Sequence, residues 1–200
     1  MKQYNPMMTQ SPSQTIGPYY ALGLVRKGDK VITNVLVSEK TQGERIRIEG
    51  RVIDGDGRPI EDAMVEIWQA NSHGRYNHPL DEQDKPLDPD FMGHGRAGTD
   101  PDGNYWFETI KPGSIPGQND IPQSPHINAI VFARGMLVHA FTRIYFDDED
   151  ANRNDPVLMS IEDEARRNTL IARHETSEGR IEYRFDIHLQ GEDETVFFNA

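Results

Sequence analysis

Arg45-Ile-Arg-Ile-Glu-Gly-Arg-Val52 alternates apolar with polar residues, the period of two that marks a strand with one face in a core and the other in water. The longest such run is Arg180 to Gln190, with Ile181, Tyr183, Phe185, Ile187 and Leu189 on one face. Glu182, Arg184, Asp186, His188 and Gln190 fall on the other. A slip of one residue would turn the whole apolar set into water, so the pairing of this strand is tightly specified. Asp54-Gly-Asp-Gly57 predicts a turn, because glycine adopts positive φ freely, and Ala63 to Trp68 is then the expected return strand. Pro101-Asp-Gly103 breaks the chain before another short strand, Tyr105 to Thr109. His126 to Ala133 and Met136 to Phe146 flank Arg134-Gly135 and predict a hairpin.

One stretch departs from the β pattern. Asp155-Pro156 reads as an N-cap followed by proline in a first helical turn. Val157, Leu158, Ile161 and Ala165 recur at helical spacing, and Arg166 and Arg167 suit the negative helix pole. One helix or two short ones are expected between about Pro156 and Ala172. Residues 71–97, rich in His, Asp, Pro and Gly, read as a long polar loop, and loops of that length usually serve function or an interface. Many short strands with one helical insert predict an all-β chain, a single-domain β-sandwich with long loops. The expected division is an N-terminal arm over residues 1–20 and a sandwich domain over 21–200.

Composition narrows the setting. The chain has 200 residues, 36% hydrophobic and 27% charged, and a mean hydropathy of -0.71. It contains no apolar run long enough to span a bilayer, and its first residues lack the apolar core of a secretory signal. Zero cysteines exclude disulfides, thiolate metal sites and a cysteine nucleophile, so a cytoplasmic location is expected. The net charge of -12 argues against nucleic acid, which requires a basic face. It also means that an anionic ligand must be held by a locally placed cation, against the average field. The acidic runs Asp147-Asp148-Glu149-Asp150 and Glu192-Asp193-Glu194 read as solvated loop faces.

Seven histidines, at 73, 78, 94, 126, 139, 174 and 188, form no grouping of known metal-binding spacing. On spacing alone, Tyr76 is a loop aromatic packed on a sheet. His126 is then a strand-start histidine satisfied by backbone.

Three motifs in order change that reading. Val65-Glu-Ile-Trp-Gln-Ala-Asn-Ser-His-Gly-Arg-Tyr76, Lys111-Pro-Gly-Ser-Ile115 and Pro125-His-Ile-Asn128 resemble the intradiol ring-cleavage dioxygenases. Catalytic chains of that family hold ferric iron with two tyrosines and two histidines, in a β-sandwich. The resemblance puts Tyr76 and His126 at ligand positions, Ile115 where the second Tyr belongs and Asn128 where the second His belongs. Gln123 stands in place of an arginine that assists the chemistry. Hard ferric iron favours anionic oxygen donors, and isoleucine offers none, so no metal is expected in this chain.

The segments Thr15-Ile-Gly-Pro-Tyr19, Phe132-Ala-Arg-Gly135, Thr142 to Asp148, Tyr183 to Glu192 and Glu194 to Phe198 are similar to the non-iron (α) chain of the family's two-chain members, from about Ser11 onward. That resemblance implies a β partner holding Fe(III) and a hetero-oligomer of α/β pairs. It also implies a pocket at the α/β interface where O2 opens the ring of 3,4-dihydroxybenzoate to 3-carboxy-cis,cis-muconate. Carried over, Thr15, Gly17 and Tyr19 of the arm would line the partner's pocket, and Arg134 would face the substrate carboxylate. Two alternatives stay open: a self-sufficient homo-oligomeric catechol-type dioxygenase, and a non-catalytic ligand-binding or structural sandwich module.

Overall fold

A computed structural model describes residues 16–17, 19–24, 33–117, 121–177 and 179–199. Among them are nine strands: β1 (Arg45–Ile53), β2 (Met64–Trp68), β3 (His94–Gly98), β4 (Asn104–Ile110), β5 (His126–Phe132), β6 (Ala140–Phe146), β7 (Ile171–Ser177), β8 (Arg180–Arg184) and β9 (Ile187–His188). Strands β3-β2-β5-β6 form one layer and β7-β8-β1-β4 the other, with β9 beside β1. Strand β7 joins the layers, pairing in parallel with β6 at Tyr145↔Ile171 and Phe146↔Ala172 before turning antiparallel to β8. The core lies between the layers. Ile48, Val52, Phe107, Tyr183 and Ile187 come from one side, and Val65, Ile67, Ile127, Val131 and Ile144 from the other. Alternation decides which residues these are, because only every second residue of a strand points inward.

The expected β-sandwich is present, with four local differences. Ala63–Trp68 does not return along β1. Strand β2 belongs to the opposite layer, paired with β3 and β5, and the Asp54–Gly57 turn closes only a short Ile53↔Pro59 bridge. The predicted loop over 71–97 contains β3 at its end. His94-Gly-Arg-Ala-Gly98 carries too little apolar pattern to read as a strand, yet pairs along all of β2. The helical insert is shorter than its pattern. Asp155 caps a 3-10 turn at Leu158–Ser160, its carboxylate accepting the N–H groups of Val157 and Leu158, and a separate five-residue helix, Glu164–Asn168, follows with Asp163 as its own cap. Ile171 and Ala172 already lie in β7, because β6 offers an open edge there.

Finally, the Arg180–Gln190 strand breaks at Phe185-Asp186. The Asp186 carboxylate accepts the Arg51 N–H at 2.9 Å in place of a backbone carbonyl. Gly50 makes this possible: a Cβ there would stand 1.8 Å from the Phe185 carbonyl oxygen. The apolar face survives the break, with Tyr183, Phe185 and Ile187 all buried. The acidic run at 147–150 is also more than a solvated face. Lys111 Nζ lies 2.9 Å from both Asp148 and Glu149, and the Tyr183 hydroxyl donates to Asp148 at 2.9 Å.

Candidate functional site

Cross-strand register assembles the first cluster. Trp68, Asn128 and Arg143 lie directly opposite one another across β2, β5 and β6, and His126 faces Tyr145 in the next row. All five lie on the face of the layer turned away from the core, since their strand neighbours Ile67, Ile127, Ala129 and Ile144 are the core residues. The Gln69–Asn71 segment brings the loop back over this face. Gln69, buried at the end of β2, donates to the Ile110 carbonyl at 2.9 Å and accepts from the Thr109 hydroxyl at 2.7 Å. Asn71 accepts the N–H groups of His73 and Arg75 on its side-chain oxygen. Its backbone carbonyl takes the N–H of Gly113, fixing the Lys111-Pro-Gly turn. Gly74 adopts φ 79° and Gly113 lies so close to the 72–74 backbone that neither position admits a side chain. The Tyr76 ring is thereby stacked on Trp68, with centroids 5.8 Å apart and planes 10° from parallel.

The motif positions therefore do meet in part: Asn128 with Tyr76 and Ile115 with Gln123. Asn128 donates its amide to the Tyr76 hydroxyl at 3.1 Å and to the Trp68 carbonyl at 3.3 Å. A carbonyl only accepts, so the second contact fixes which way the amide faces. Ile115 pairs with Gln123 through backbone hydrogen bonds of 2.8 and 3.3 Å and borders, with Trp68, Tyr76, His78 and Pro116, an open cleft of about 650 Å³. His126 is 3% exposed. Its Nδ1 lies 2.7 Å from the Ser124 carbonyl, so Nδ1 carries the proton, and its buried Nε2 has no hydrogen-bond partner among the described residues. Burial pushes the imidazole down to about 4, helped by the charge of Arg143, so it is neutral at pH 7. Burial raises the Tyr76 phenol above its ordinary value, against the smaller pull of the Asn128 hydrogen bond and Arg143.

A ferric ion does not fit these residues. Tyr76 is a protonated phenol held by an amide, Ile115 has no donor atom, and Asn128 turns its N–H groups inward. Among the described residues no three His, Asp or Glu side chains converge in a way that could hold a metal ion.

The second cluster surrounds Arg134, beyond the other end of β5, a strand that spans roughly 20 Å. Gly135 turns the chain with φ 92°. Ile16 N–H donates to the Met136 carbonyl at 3.0 Å, and Gly135 N–H to the Ile16 carbonyl at 3.1 Å. These bonds set the described part of the arm beside the turn. Arg134 pairs with Asp62 at 3.1 Å and keeps its side chain 54% exposed. Tyr20 begins a short helix, α1 (Tyr20–Leu24), and its hydroxyl bonds to the Asp62 and Phe132 carbonyls. Burial and then Asp62 push that phenol up to about 12, against the pull of Arg134. Tyr19 is 79% exposed, and among the described residues nothing lies within 4 Å of where a Gly17 side chain would stand. Thr15 lies outside the described residues. Asp62, Tyr20, Gln69 and Asn71 were not singled out by sequence reading. Only the last two carried a signal, as the polar members of the Trp-Gln-Ala-Asn motif.

Residues 15–191 match the Dioxygenase family model, and the chain belongs to the intradiol dioxygenase family. It is 41% identical over 201 residues to the protocatechuate 3,4-dioxygenase alpha chain of Pseudomonas putida, covering 96% of this chain and 98% of that one. To the beta chain of Burkholderia cepacia it is 40% identical over 168 residues, 81% of this chain and 71% of that one. Among solved structures, the dioxygenase domain of a dioxygenase–carbohydrate-binding fusion from Streptomyces sp. SirexAA-E superimposes with a TM-score of 0.62 at 26% identity, over 90% of this chain and 97% of that one.

Proposed function

We propose that this chain is the non-iron α subunit of a protocatechuate 3,4-dioxygenase. Its β partner holds Fe(III), and the α/β pair opens the ring of 3,4-dihydroxybenzoate with O2 to 3-carboxy-cis,cis-muconate. One observation carries the reading: a chain similar over nearly its whole length to an alpha chain keeps the fold but has its remnant site closed by the Asn128–Tyr76 hydrogen bond. The losses at Ile115 and Asn128 weigh against a self-sufficient catechol dioxygenase. A half-exposed guanidinium on a turn braced by the arm favours a subunit over a plain binding module.

In this reading the chain's own work is recognition. Arg134 meets the substrate carboxylate across the interface, a guanidinium being suited to bidentate contact. Tyr19 and Gly17 form the wall beside it, where glycine lets backbone approach closely. Asp62 limits the mobility of Arg134 while leaving part of it open. The bound Fe(III) of the β chain supplies Lewis-acid activation of the catechol toward oxygen. This chain orients the substrate and excludes water, effects that act through geometry. No helix among the described residues is long and apolar enough to cross a membrane, and the cysteine-free sequence supports a cytoplasmic assembly.

The test is metal analysis with a visible spectrum. The chain alone is expected to be colourless and iron-poor, and co-expression with the β chain to give a coloured, active complex. Near-stoichiometric coloured iron in the lone chain would overturn the reading.

A further inference from the structure

Among the described residues, β3 and β4 stand at the two ends of the strand order, one in each layer. The outer edge of such a strand is a row of N–H and C=O groups in need of partners. A short segment ahead of β1 lies between the two edges and bonds to both. Thr33 N–H donates to the Arg96 carbonyl of β3 at 2.9 Å. Arg96 N–H returns to the Thr33 carbonyl at 3.4 Å and to its hydroxyl at 3.1 Å. On the other side, Glu108 N–H of β4 donates to the Asn34 carbonyl and Leu36 N–H to the Glu108 carbonyl, both at 2.8 Å. Val35 thereby bridges Glu108 in parallel. Since β6 and β7 already join the layers, residues 33–36 close the strand order into a ring.

Side chains and space agree with the backbone. Leu36 packs onto the core, while its neighbour Val35 is 51% exposed. Gly95 of β3 provides the seat: a Cβ there would stand 2.7 Å from Leu36 Cδ1 and 3.0 Å from the Thr33 carbonyl oxygen. Downstream, the chain is pinned separately. The Thr41 hydroxyl accepts Ser38 N–H at 2.9 Å and donates to the Asp90 carbonyl at 3.1 Å, and Gln42 N–H donates to the Asp88 carboxylate at 2.9 Å. Strand β1 then pairs with β4 from Arg45 to Arg51 on its own account. The segment can therefore leave its place without shifting the register of β1.

We infer that residues 33–36 are a detachable closing stave, and that the slot between β3 and β4 is a strand-binding site for an extended peptide with leucine at the position of Leu36. The chain fills the slot with its own segment, the one that carries residues 16–24 upstream. Main-chain bonds to Arg96 and Glu108 would hold any extended strand, and the notch at Gly95 reads the leucine. This site stands apart from the role of Arg134 and from the iron-bearing partner.

The test uses the full-length chain with Leu36→Asp, which puts a charge against the seat and leaves the slot intact. Hydrogen exchange at the Arg96 and Glu108 amides is expected to quicken at least about a hundredfold, while core amides of β1 and β5 keep wild-type rates. A blocked synthetic peptide of residues 33–39 should bind this variant and restore slow exchange at both amides. Its affinity should exceed that for wild type, whose slot is filled, at least about tenfold. The same margin is expected over a peptide carrying Leu36→Asp. Adding Gly95→Val to the chain variant should abolish binding. Should Leu36→Asp not fold, Leu36→Ala replaces it in every comparison. A segment whose loosening unfolds the chain in both variants is not detachable, and the inference fails. Wild-type exchange at Arg96 and Glu108 in the variant would overturn it too, as would a peptide that neither binds nor protects.

Discussion

Asn128 donates its side-chain amide to the hydroxyl of Tyr76 at 3.1 Å, across 52 residues of sequence. A phenol that accepts such a bond and is otherwise half-buried remains protonated at neutral pH, since burial raises it above its ordinary value. The amide pulls the other way, because a hydrogen bond donated to the oxygen favours phenolate.

Asn128→Ala should therefore push the Tyr76 phenol further up and cost about 1 kcal/mol of stability. Alkaline titration of phenolate absorbance, with Tyr76→Phe identifying the Tyr76 signal, checks the direction. An unchanged or lower Tyr76 midpoint would mean the bond does not form in solution.

Arg134→Ala should leave folding nearly untouched, because a half-exposed pair such as Arg134–Asp62 contributes only ~0–1 kcal/mol. In the assembled enzyme it should lower kcat/KM for 3,4-dihydroxybenzoate by roughly 10- to 150-fold, the worth of one charge-assisted hydrogen bond, with iron content intact. Uncarboxylated catechol, lacking the anion, should lose far less. Equal losses on both substrates would assign Arg134 to the fold or the interface instead.

Gly17 and Gly50 predict opposite responses to alanine. A Cβ at 17 meets nothing within 4 Å among the described residues, so Gly17→Ala should not change the melting temperature of the chain, and any loss of turnover would report the pocket wall. A Cβ at 50 would stand 1.8 Å from the Phe185 oxygen. Gly50→Ala should cost about 3 kcal/mol or more, lowering Tm by roughly 6–12 °C. A scanning calorimetry comparison of the two variants decides it.

His126 sets a pH dependence. Its imidazole is held at about 4 in the folded chain, against an ordinary value of 6.5. Between those values the unfolded chain binds a proton that the folded chain refuses, so stability falls as pH drops from about 6.5 toward about 4 and levels off below. The total is on the order of 3 kcal/mol. Denaturant unfolding across that range should show the slope in wild type and lose this part of it in His126→Gln. Identical slopes would show that the imidazole is solvated.

The amino-acid pattern alone determined the β-sandwich class, and it did so through alternation. The buried face of Ile181, Tyr183, Phe185 and Ile187 persists even where the strand itself breaks, because side-chain direction follows from the period of two. The motif residues Tyr76, Ile115, Gln123, His126 and Asn128 were legible as a group in the sequence, and the fold joins Asn128 to Tyr76 and Ile115 to Gln123. Pairing was legible only for the hairpin of β5 and β6 about Arg134-Gly135. That β2 leaves β1 for the opposite layer, and that His94–Gly98 forms a strand at all, depends on which partner edge is open, a long-range fact that no local run encodes. The same holds for the site's electrostatics. Arg143 lies fifteen residues beyond Asn128, inside the segment Thr142 to Asp148, which the resemblance covers without assigning this residue a role. Register alone brings its guanidinium opposite Asn128, and register alone sets Asp62 against Arg134's side of the molecule through β2 and the end of β5. Charge acts through distance, and distances between strands are fixed only when the chain is folded.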